Sequence, residues 1–87
     1  MVGAWTKYRV NMTKEEIGIF EEAFNGFVGV KYTPLAVATQ VVNGTNYSYF
    51  CNAVGVYPHA PNVAAMVEIN QKPNGIPTIL NIKICDR

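Results

Sequence analysis

The sequence is short of charge, and the shortage is local. From Tyr32 to Val67 there is no Asp, Glu, Lys or Arg. Charged residues are 15% of the 87-residue chain, against a usual share of about 25%. Seven Lys and Arg against six Asp and Glu leave a net charge of +1. Without basic residues interleaved among the aromatics, the footprint of a nucleic-acid binder is missing, so no nucleic acid is expected as partner. Long apolar runs are missing too. Pro34, Gln40, Asn43, Gly44, Asn46, Asn52, Gly55, Pro58 and Pro61 break the uncharged stretch, far short of the roughly 18–20 apolar residues a spanning helix needs. Met1-Val2-Gly3-Ala4-Trp5 runs on to Lys7 with no secretory apolar region, and the expected location is the cytoplasm, away from membranes. Cys51 and Cys85 are the only cysteines. They are too few for a disulfide framework and lack metal-ligand spacing, so free thiols and no metal or cofactor are expected.

Catalytic machinery is equally scarce. The single histidine, His59, lies in a proline-bordered loop, and a thiol nucleophile at Cys51 or Cys85 has no third group to orient the pair. Glu15, Glu16, Glu21 and Glu22 fall on or near one solvated helix face, where they suit the helix dipole better than an acid/base pair. The glycines are scattered singly, without a phosphate loop. The chain is expected not to be an enzyme.

What is present is one domain, residues 1–87, of α+β class. Thr13 and Glu16 form a capping box that starts a helix at about residue 13. Ile17, Phe20, Ala23, Phe24, Phe27 and Val28 follow on one arc at helical spacing, predicting a helix to about residue 28 with this face buried. The remaining periodic segments read as strands: Trp5–Arg9, Leu35–Val42, Thr45–Val54, Val63–Asn70 and Thr78–Ile84. The expected order is β-α-β-β-β-β, a curved antiparallel sheet covered on one side by the helix. Leu80, Ile82 and Ile84 are expected on its covered face. Asn43-Gly44 between two strand-like runs predicts a type I′ hairpin turn, and Pro73-Asn74-Gly75 a second turn. Alternate turns of a meander emerge at one end of the sheet. If Trp5–Arg9 pairs antiparallel with the next strand, Val2–Ala4 joins both turns there.

Asn-Gly between valine-rich strands is by itself an ordinary turn. In context, Gln40-Val41-Val42-Asn43-Gly44-Thr45-Asn46-Tyr47 resembles the Gln-Val-Val-Ala-Gly hairpin and Thr-Asn-Tyr continuation of the cystatins. Gly3 before the first strand, the amphipathic helix and the Pro-containing second hairpin extend the resemblance along nearly the whole chain. Lacking an export signal, it looks most like the intracellular, stefin-type branch. The resemblance implies a reversible inhibitor of papain-like cysteine proteases. Its wedge would comprise Val2, Gly3 and Ala4, then Gln40, Val41, Val42, Asn43 and Gly44, then Pro73 and Asn74, occluding the protease cleft without reacting with its thiol. Asn43 replaces the family's small fourth residue, and the second hairpin lacks the Trp of many members. A non-inhibitory cystatin-fold binding or scaffold domain is the alternative. The chain is expected to be a monomer open to domain swapping, because the neutral, β-prone hairpin is a ready hinge.

Overall fold

The structure, a computed structural model, describes residues 3–85. Val2, one of the expected wedge residues, lies outside them. Lys14–Ala23 forms α1. Thr13 holds extended backbone at its start, and its hydroxyl accepts from the Glu16 N–H at 3.1 Å while the Glu16 carboxylate accepts from the Thr13 N–H at 2.8 Å. Arg9 donates to both oxygens of the same carboxylate. Glu16 can therefore be buried at 7% exposure without an unpaired charge.

The helix ends earlier than its apolar spacing predicts. Phe24 caps it, and Gly26 at φ +83° turns the chain away. Phe24, Phe27 and Tyr32 then cluster, with ring centroids 5.1 Å apart for Phe24–Phe27 and for Phe24–Tyr32. The apolar spacing that reads as another helical turn is thus satisfied by a folded-back loop, which leaves Val28 exposed. The buried stripe is also rotated. Ile19 and Phe20 face the core, whereas Ile17 is exposed. The cause is a buried anchor: the Tyr49 hydroxyl donates to the Glu16 carbonyl at 2.7 Å and holds that side of the helix against the sheet.

Four antiparallel strands follow: β1 Val30–Val42, β2 Gly44–Gly55, β3 Asn62–Gln71 and β4 Thr78–Cys85, paired in the order β1-β2-β3-β4. One helix packed on this sheet makes an α+β architecture. The three later strands match the sequence reading to within a residue. The first starts at Val30 and passes through Pro34, because a bulge at Leu35 relieves the ladder beside a residue with no N–H to donate. A second bulge, at Leu80, shifts the alternation in β4. Ile79 takes the covered side with Ile82, and Leu80, expected there, is exposed.

The expected strand Trp5–Arg9 does not form as a strand. Residues 3–9 do run along the outer edge of β1, bonding from Gly3, Thr6 and Arg9 to Val41, Thr39 and Val37. Three residues of the segment are used for every two of β1, so one residue in each step bulges out of register. The Thr39 N–H, which a regular ladder would pair with a carbonyl, donates to the Thr6 hydroxyl at 2.9 Å. Only Arg9–Val37 closes as a bridge, and the element order is α-β-β-β-β.

On the covered face, Val37, Tyr49, Cys51, Val67 and Ile69 are fully buried. Phe20 meets the Tyr49 ring edge-on at 4.9 Å between centroids. Among the described residues, no helix is long and apolar enough to cross a membrane.

Candidate functional site at the hairpin edge

Three chain segments meet at one end of the sheet. The Gly3 N–H donates to the Val41 carbonyl at 2.8 Å, and the Gln40 side-chain amide donates back to the Gly3 carbonyl at 3.0 Å. From Gln40 the contact continues inward. Asn46 Nδ2 donates to Gln40 Oε1 at 3.1 Å, and Asn70 Nδ2 to Asn46 Oδ1 at 2.7 Å. These amides occupy one cross-strand row, Gln40 opposite Asn46 and Asn46 opposite Asn70. The row links the N-terminal segment to β1, β2 and β3 by side-chain bonds independent of the backbone ladder.

The first tip is tighter than a type I′ turn. Val42 pairs with Gly44, so Asn43 alone forms the apex. A type I′ turn needs positive φ at both central residues, but Asn43 is absent from the positive-φ positions, and Gly44 takes the reversal at φ +106°. Space fixes the residue as firmly as φ does. A Cβ on Gly44 would collide with the Gln71 carbonyl oxygen and lie 2.8 Å from Lys72 Cα. The first tip therefore rests directly on the base of the second hairpin.

That second hairpin is a four-residue turn closed by the Gly75 N–H donating to the Lys72 carbonyl at 2.9 Å. Pro73 and Asn74 are its central residues, and Asn74 has φ +58°, the pattern of a type II turn. Gln71 Nε2 donates to the Gly75 carbonyl at 3.2 Å across its base. Both reversals are thus braced from the side. The outward groups are Gly3, Ala4, Val41, Asn43, Pro73 and Asn74, all exposed, with Val41 at 67%. Gln40, Val42 and Gly44 are half-buried behind them. Lys72 stands exposed at the rim, adding a positive charge to an otherwise neutral edge.

Every predicted site residue within 3–85 therefore lies at this end. Asn46, Asn70, Gln71 and Lys72 belong to it as well. Asn46 could have been found in the Thr-Asn-Tyr continuation, but the other three depend on strand register, which no local pattern reveals.

The thiols are placed differently. Cys51 is fully buried in β2, and burial pushes its pKa up to about 12, so at neutral pH it is a thiol and a poor nucleophile. Cys85 ends β4, and both cysteines are free. His59 is exposed in the loop at the opposite end, at φ +63°. Among the described residues, no group of three or more His, Cys, Asp or Glu is arranged to hold a metal ion. Compared with known proteins, the chain matches no family model, no curated protein and no solved structure.

Proposed function

We propose that this edge enters the active-site cleft of a papain-like cysteine protease and that the chain is a reversible, non-reacting inhibitor of the cystatin, stefin-like kind. The observation that carries the reading is the bracing of Gly3, the Gln40–Gly44 tip and the 72–75 turn against one another. A row of three small protrusions fits a groove, and protrusions already held in place lose little conformational freedom on entering it. Val41 supplies the exposed apolar surface that the groove would desolvate. Gly3 keeps the exposed profile narrow, and Gly44 lets the first tip lie against the base of the second hairpin. Two free thiols suit a reducing compartment such as the cytoplasm.

Titration of papain tests this. Inhibition below about 10 μM is expected, equivalent to about −7 kcal/mol or better, with trypsin unaffected. Val41→Asp places a charge in the desolvated contact at an exposed position, and it should weaken inhibition by about tenfold or more without changing the melting temperature. Full papain activity in the presence of 10 μM protein, an amount set by the same scale, would leave the edge as the binding surface of a cystatin-like scaffold with another partner.

A further inference from the structure

The sheet face turned away from the helix should be the wetter one, yet Ala38 and Ser48 on it are 1% and 6% exposed. The N-terminal segment covers them. Its Tyr8 hydroxyl lies 2.6 Å from Ser48 Oγ, and Trp5 and Tyr8 together wall one side of a depression of about 350 Å³. Glu68 of β3 and Lys83 of β4 line the same depression. Met66 pairs with Lys83 and Glu68 with Asn81, so Glu68 and Lys83 are diagonal neighbours on one face. They form no direct ion pair with each other. The one ion pair among the described residues is Arg9–Glu16.

An aromatic wall beside two separate charges of opposite sign has a specific complement. We infer that this depression binds a small zwitterion carrying an aromatic ring, of the free aromatic α-amino acid class. Its ammonium faces the Glu68 carboxylate, its carboxylate faces the Lys83 ammonium, and its ring lies against Trp5 and Tyr8 over Ala38. A ligand with one charge satisfies one of the two groups and desolvates the other without a partner, which disfavours simple amines and simple acids alike. The site lies on the same face as the Gln40–Asn46–Asn70 amides, at the next row, Ala38–Ser48–Glu68.

The chain has a single tryptophan, and it belongs to this wall, so its emission reports occupancy. Phenylalanine is titrated into the full chain with excitation selective for Trp5, alongside phenethylamine and 3-phenylpropionate, which each keep the ring and one charge. A saturating change with phenylalanine is expected at a dissociation constant on the order of 1 mM, the range open to a ligand of about a dozen non-hydrogen atoms. The two single-charge compounds should bind about tenfold more weakly, and Glu68→Gln and Lys83→Gln should each weaken phenylalanine by a similar factor. No saturating change up to about 10 mM, equal affinity for all three compounds, or unchanged binding by both variants would overturn the assignment. The comparison of compounds on the unaltered chain stands even if a variant folds poorly.

Discussion

The same glycine-to-alanine change should act in opposite directions at Gly44 and Gly18. At Gly44 the added methyl must tolerate φ +106° and a Cβ position that collides with the Gln71 carbonyl oxygen, with Lys72 Cα 2.8 Å away. Holding an L-residue in sparsely populated backbone space costs about 1–3 kcal/mol. Moving the abutting backbone adds about 1–3 kcal/mol, as for other overpacked sites. A loss of about 2–6 kcal/mol is the working figure, a large part of the total for a domain of this size. It corresponds to a fall in melting temperature of about 10 °C or more. Gly18 lies inside α1 with nothing within 4 Å of its added Cβ, so alanine there restricts the unfolded chain and strengthens the helix by about 0.5–1 kcal/mol. Thermal melts followed by circular dichroism, with urea unfolding to check that the m-value is unchanged, compare the two directly. If G44A melts within about 2 °C of the parent, where several times that is expected, the first tip does not rest on the second hairpin; if G18A melts lower than the parent, the added methyl is not free of contacts in α1.

Acid should weaken the fold through Glu16. Burial disfavours its ionised form, but hydrogen bonds from Arg9 and Thr13 and the Arg9 charge outweigh it and hold the carboxyl below its ordinary range. The native pKa thus lies below the unfolded one, so this stabilisation is complete above the ordinary carboxyl pKa of about 4.3 and is lost as pH falls through the native value. Urea midpoints from neutral to acid pH should show a shallower acid decline in Arg9→Gln, and parallel curves would refute the link. A thiol reagent at pH 8 should modify Cys85 in the native protein and reach Cys51 only in denaturant, given the burial that pushes Cys51 up to about 12; simultaneous reaction would contradict that burial. Light scattering after mild heating should reveal dimers that exchange the N-terminal segment, α1 and β1 through an opened Gln40–Gly44 tip; a protein that stays monomeric across concentration and temperature counts against the swap.

The readable parts of the fold were those written by local chemistry. Thr13 and Glu16 announced the helix start because a capping box needs only neighbouring residues. The alternation of Thr45–Val54 and Val63–Asn70 survived into β2 and β3 because both strands have a neighbour on each side. Misreadings fell where distant contacts decide. Phe27 follows helical spacing but packs with Tyr32, and Leu80 follows strand spacing but sits on a bulge. Trp5–Arg9 alternates like a strand, yet its bonds to β1 slip by one residue at every step. At the candidate site, the positions of both reversals were legible as turn chemistry, but the first is tighter than the type I′ turn that Asn43-Gly44 predicts. The bracing by Asn46, Asn70 and Gln71 was not legible, since it exists only once β2 and β3 are in register.

The segment from Gly3 to Arg9 is also a seal. β1 would otherwise expose a row of backbone groups able to template another strand, and only a few intermittent hydrogen bonds and the Thr6 hydroxyl cover it. A cover fastened at every third residue detaches more easily than a zipped strand. Any event that draws this segment away, whether a partner taking Gly3 or a protease trimming the terminus, therefore bares an aggregation-prone edge at the same moment. Colloidal stability and availability of the N-terminus are in this way tied together, and shortening the chain from that end should cost solubility before it costs the fold.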